Sequence, residues 1–157
     1  MGWSLWLKDP KTGERLETEE KHFMFGPNVC LGGTNRLELD ITYNYGRMYG
    51  IVGFNPRDIY GKTGKEAVPI LHRAIETLLD LDNDEETEEI LKEDKERLAG
   101  IKKDYEEGKL SKESFDMLYT ARTPDSYWFP SPRNSIAALE NLVRLSEMAL
   151  EGVWEGD

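Results

Sequence analysis

The chain has 157 residues, with 20 basic and 31 acidic side chains for a net charge of −11. That length suffices for one domain with a real hydrophobic core and no disulfide or metal staple, and the acidity excludes a generic binder of the nucleic-acid backbone, which needs a basic stripe. One cysteine, Cys30, and two histidines, His22 and His72, give neither an internal disulfide nor zinc-ligand spacing, so the expected setting is a reducing cytoplasm with no metal and no cofactor.

At the amino terminus no basic start precedes an apolar run, and no stretch is long enough to cross a bilayer, so a soluble chain is expected. Trp3, Leu5 and Leu7 alternate with Ser4, Trp6 and Lys8, and Asp9-Pro-Lys-Thr-Gly13 supplies the residues of a tight connection, which predicts a β-hairpin. A second strand pair joins Asn28-Val-Cys-Leu31 to the run after Gly32-Gly33, with Cys30 as a small buried hydrophobe. In that run Leu37, Leu39, Ile41, Tyr43 and Tyr45 fall on one face, the period of two of a half-buried strand. An antiparallel sheet is therefore predicted over roughly residues 3–55.

Beyond Pro56 the period changes. Val68, Leu71, Ile75, Leu78 and Leu79 recur at helical intervals and predict an amphipathic helix over about 66–81. A charged helix is predicted over about 85–107, with a narrow apolar stripe of Leu91, Leu98, Ile101 and Tyr105, then a short helix through Phe115, Leu118 and Tyr119. Residues 82–107 carry twelve acidic and five basic side chains, a net of −7, which leaves only −4 for the rest of the chain. Such a segment is either a solvated face or an arm for a basic partner. Its stripe needs a cover, supplied by the short helix or by another subunit of a homo-oligomer. Pro124, Pro130 and Pro132 mark an extended connection, and Ser131-Pro132 opens a last helix reaching about residue 150. The fold class is α+β: one domain over residues 1–157, an antiparallel sheet in its N-terminal half packed on two amphipathic helices, with an acidic helical hairpin inserted at 82–120.

Two motifs invite chemistry. Gly61-Lys62-Thr63 ends like a phosphate-binding P-loop, but seven residues separate it from Gly53 where the loop requires four between its glycines. Lys62-Thr63-Gly64 matches a triplet of penicillin-recognising enzymes, but no Ser-x-x-Lys nucleophile accompanies it. Thr63-Gly-Lys-Glu66 also fits a capping box, although Pro69 argues for a later helix start with 63–68 as an irregular lead-in. Lys62 just ahead of a helix amino terminus remains the place where an anion would be expected. His72, four residues before Glu76, reads as an exposed helical histidine rather than an oriented base.

Aromatic and amide groups concentrate where elements end. Tyr43, Asn44, Tyr45, Tyr127, Trp128 and Asn134 could stack on a base and bond its edges, with Arg57, Lys62 and Arg133 neutralising phosphate. The alternative is that these rings simply close the core.

Several pieces together, Trp3-Ser-Leu-Trp-Leu, Leu39-Asp-Ile-Thr-Tyr-Asn-Tyr45, Tyr60-Gly-Lys-Thr-Gly64, Tyr127-Trp128 with Asn134, and Gly152-Val-Trp-Glu-Gly-Asp157, resemble a family of small bacteriophage- and prophage-encoded proteins. The likeness covers residues 1–81 and 121–157, and 82–120 looks like an insertion. The family brings no catalytic residue to carry over. It implies a protein working in the cytoplasm of a bacterial host, where such proteins often block defence by sequestering nucleotide signals or binding a defence protein. The expected function is thus non-catalytic capture of a small polar ligand such as a signalling nucleotide; the alternative is an acidic inhibitor whose hairpin docks on a basic host protein.

Overall fold

The N-terminal strand sits in the middle of the main sheet. In the computed structural model, which describes residues 2–23, 33–81, 85–121 and 126–157, β1 (Gly2–Lys8) turns Trp3, Leu5 and Leu7 into the core. The Asp9 carboxylate accepts the amides of Lys11 and Thr12 at 2.7 and 3.1 Å, and these bonds hold its carboxyl below the usual carboxylate range. Gly13, at φ +73°, completes the turn, and Leu16 N–H returns to Leu7 O at 2.8 Å. From there β2 (Glu17–His22) leaves to pair with β3 (Thr34–Arg36) in a separate two-stranded sheet. The strand expected at 28–31, and Cys30 with it, lies outside the described residues.

Strand β4 (Glu38–Thr42) runs antiparallel to β1, with Leu39 opposite Leu5 and Ile41 opposite Trp3. The third strand was not foreseen. It is β5 (Val153–Gly156), antiparallel on the other side of β1, so that the order is β4-β1-β5.

The strand predicted to continue through Tyr45 stops at Thr42, and residues 43–59 are mostly helical rather than sheet. Thr42 Oγ1 accepts Asn44 N–H at 3.2 Å and so caps a 3-10 turn at Tyr43–Tyr45. That turn runs into α1 (Gly46–Ile51). The change of period splits the two tyrosines: Tyr45 is fully buried and Tyr43 is 42% exposed. A second 3-10 turn, Pro56–Ile59, is held by a capping box in which Asn55 and Asp58 bond each other's backbone ends.

Helix α2 (Gly64–Leu79) begins at Gly64, earlier than Pro69 implied. The Thr63–Glu66 capping box is present, with both bonds between 2.9 and 3.2 Å. Ala67, Leu71, Ala74 and Leu78 face inward along one stripe. They meet α5 (Pro132–Met148), which buries Leu139, Leu142 and Leu145 beneath the sheet. Between them the hairpin of α3 (Glu85–Glu106) and α4 (Lys112–Ala121) projects. Tyr105 stacks on Phe115 with centroids 4.3 Å apart, so α4 covers that end of the seam. The N-terminal part of the same stripe lies on the body: Thr87, Ile90 and Asp94 are buried, and Glu93 pairs with Arg47 of α1.

Candidate functional site: an aromatic turn between body and hairpin

The start of α5 organises the loop before it. Ser131 Oγ accepts Asn134 N–H at 3.1 Å, the N-cap bond, and Pro132 fills the first helical position, where an N–H has no partner to lose. The Asn134 side chain then reaches back and donates to Ser126 O and Phe129 O, both at 2.9 Å. Ser126 Oγ accepts Trp128 N–H at 3.2 Å, and Asn44 Nδ2 donates to Trp128 O at 3.0 Å from the other side. Two asparagines thus fix the turn at 126–131 to α5 and to the end of β4.

Three tyrosines anchor it from below. Tyr45 donates its hydroxyl to Tyr127 O, Tyr49 donates to Ser135 O at 3.0 Å, and Tyr127 reaches Asp40 O on β4 at 3.5 Å. Their rings meet edge to face, Tyr45 with Tyr127 at 5.5 Å and with Tyr49 at 6.1 Å. Burial is the main reason that all three phenols are held above the ordinary tyrosine range. At neutral pH they stay protonated and serve as hydrogen-bond donors.

The consequence is a turn with one side in and one side out. Phe129 and Pro130 are buried, whereas Trp128 stays 40% exposed. Across from it Met117 of α4 is 68% exposed. With Asp116, Thr120, Ser126 and Tyr127 they line an open, mainly apolar groove of about 730 Å³.

Five of the residues expected to bind a ligand, Asn44, Tyr45, Tyr127, Trp128 and Asn134, belong to this neighbourhood, mostly as its framework, whereas the Tyr43 ring packs edge-on against Trp3 at 4.7 Å. The cations lie elsewhere or alone. Arg57 donates from Nε to Asp157 O at 3.3 Å, beside Tyr60, whose hydroxyl donates to the same oxygen at 3.2 Å. Arg133 stands exposed on the first turn of α5. Lys62 contributes its carbonyl to a short pairing with β5: Gly61 N–H bonds Trp154 O at 2.8 Å and Trp154 N–H bonds Lys62 O at 2.9 Å.

That pairing answers the phosphate-loop question. The first amides of α2 are occupied, Gly64 N–H by Gly152 O at 2.8 Å and Lys65 N–H by Leu150 O at 3.0 Å. The carbonyls come from the segment just past α5, so the negative end of one helix meets the positive end of the other. A Cβ at Gly64 would lie 2.5 Å from Ser146 O and 2.6 Å from Ala149 O, which explains the glycine. The donors expected to attract an anion are taken by the protein itself.

His72 and Glu76 both stand exposed on α2. Among the described residues no cluster of three His, Cys, Asp or Glu side chains could hold a metal ion, and no helix is long and apolar enough to cross a membrane. Of the groove residues, Asp116, Met117, Thr120 and Ser126 were not singled out from the sequence, and the apolar one among them is Met117. The signal available was its position off the Phe115–Leu118–Tyr119 stripe, which leaves an apolar side chain on the solvent side of α4. Comparison with protein-family models, with characterised proteins and with solved structures gave no match.

Proposed function

We propose that the protein is a non-catalytic phage or prophage protein that acts in the bacterial cytoplasm by binding, and that its binding surface is the groove between the 126–131 turn and α4. The observation that carries this reading is the pair Trp128 and Met117, both well exposed on opposite walls. A large aromatic ring held by a rigid turn is the kind of anchor that dominates protein interfaces. The amides of Asn44 and Asn134, which a small polar ligand would need, already bond the turn. These points favour a host protein as the occupant, and the resemblance to phage proteins supplies the context of blocking a defence protein.

A second reading, capture of a nucleotide, has one observation in its favour. Tyr43 and Arg57 both lie near enough to Tyr60 to affect its ionisation: burial raises the phenol most, Asp157 and Tyr43 add to that, and Arg57 opposes it. An exposed ring and a guanidinium in the surroundings of one tyrosine suit a base and a phosphate.

One experiment separates the two. A photo-crosslinking residue at Met117, expressed in the bacterial host, should trap a discrete host protein, and Trp128→Ala should abolish that adduct. Thermal denaturation with cyclic and linear nucleotides should show no stabilisation. A ligand at one hundred times its dissociation constant would add about 2.7 kcal/mol, and such a gain, with no adduct at Met117, would replace the first reading by the second.

A further inference from the structure

Resting on the partner reading, we infer that the groove takes a cationic amphipathic segment of another protein, one that inserts an apolar side chain between Trp128 and Met117 and places Lys or Arg beside the carboxylates of α4. The charge pattern names this occupant. Glu113, Asp116, Met117 and Thr120 are exposed and fall at helical spacings of three and four, so they form one stripe along α4. That stripe carries two carboxylates, and the one cation on α4, exposed Lys112 a turn before Asp116, leaves the helix net negative. Against it packs α3, with nine carboxylates to five cations over Glu85–Glu106, so the field at the groove mouth is negative.

A second copy of the chain, itself at −11, would be repelled from this surface. A purely apolar small molecule would leave the carboxylates without partners and the groove open to water. An amphipathic basic helix meets both demands. Its apolar face fills the groove in the helix-in-groove mode, its cations answer Glu113 and Asp116, and a Lys or Arg can also lie over the Trp128 ring. Methionine suits such a wall because its flexible thioether adapts to different apolar side chains.

The test uses the full chain and a fluorescently labelled helical peptide with leucines on one face and lysines on the other. Controls are a scrambled peptide of the same composition and a version with glutamate for lysine. The amphipathic basic peptide should bind saturably and more weakly as salt rises. Trp128→Ala, and independently Met117→Glu, should each weaken it about tenfold or more. Both side chains are exposed, so either variant should keep the wild-type circular dichroism. Glu113→Lys with Asp116→Lys should weaken binding of the basic peptide and strengthen binding of the glutamate version. Equal binding of the scrambled peptide would reduce the effect to bulk acidity and overturn the inference, as would indifference to Trp128→Ala. Self-association in sedimentation that disappears in Trp128→Ala would overturn it in favour of a second copy. A host protein trapped at Met117 while the peptides fail would sink this inference and leave the partner reading standing; failure of both would remove the two together.

Discussion

Helices α5 and α3 have comparable lengths, 17 and 22 residues, and contrasting surroundings. Nine residues of α5 are buried, on a broad face between α2 and the sheet. Among its described side chains α3 buries three, Thr87, Ile90 and Asp94, and the rest of its apolar stripe is half covered by α4. One helix is held by area removed from water. The other relies on ring stacking and on surface ion pairs such as Lys103–Glu107 at 3.9 Å, each worth a few tenths of a kcal/mol. The lesson is that body and hairpin should open as separate units of different stability.

The largest expected effect tests that division. Leu142→Ala leaves a cavity where α5 is sealed and should destabilise the body by about 2–5 kcal/mol. Phe115→Ala removes the ring between Tyr105 and Tyr119, and its effect should stay in the hairpin. Hydrogen exchange measures both: Leu142→Ala should lower protection in α2 and α5, whereas Phe115→Ala should lower it in α3 and α4 alone. Equal loss in both regions from Phe115→Ala would mean one cooperative unit.

A middle-sized effect belongs to the tyrosine cluster, which lies wholly in the body. Tyr45, Tyr49 and Tyr127 are all raised by burial above their unfolded value of about 10. The folded state holds these protons more tightly than the unfolded one does. Its stabilising contribution is therefore complete below about pH 10 and is lost as pH rises through the folded values, by up to about 1.4 kcal/mol per pH unit for each group. Tyr45→Phe deletes the bond to Tyr127 O and should cost about 1 kcal/mol at neutral pH. It should also make the alkaline decline shallower. Denaturant titrations at pH 7 and at a series of values above about pH 10 would check both signs, and an unchanged slope would show that Tyr45 does not contribute to it.

The same contrast explains what could be read from the sequence. Features set by near neighbours were legible: the alternation of β1, the Thr63–Glu66 capping box, the Ser131-Pro132 start of α5 and the hairpin's helices. The Asn55-Pro-Arg-Asp58 box was equally local and could have been found by the same rule. Features set by distant partners were not. Four residues of β5 become a strand because β1 offers a free edge, and Arg57, Lys62 and Gly64 are placed by Asp157, Trp154 and Gly152. At the site, Tyr127, Trp128, Asn44 and Asn134 stood out by type. Type alone could not say that the amides would hold the turn while the indole faced outward, and Met117 counts only once α4 has an opposite wall.

The smallest effect asks what holds the hairpin on the body. Two contacts compete for that role: the apolar burial of Ile90, and the Arg47–Glu93 pair, whose side chains are each roughly half exposed. A pair in that setting is screened and contributes about 0.2–1 kcal/mol, whereas burying an isoleucine contributes about 1.5–3 kcal/mol. Arg47→Ala should therefore leave exchange protection near Ile90 almost unchanged, and the small loss should vanish at high salt. Ile90→Ala should open α3 and with it displace the α4 wall of the groove, so binding at Trp128 should weaken although no groove residue was altered. If instead Arg47→Ala releases the hairpin and the exchanged pair Arg47→Glu with Glu93→Arg restores it, then charge, not burial, positions the groove.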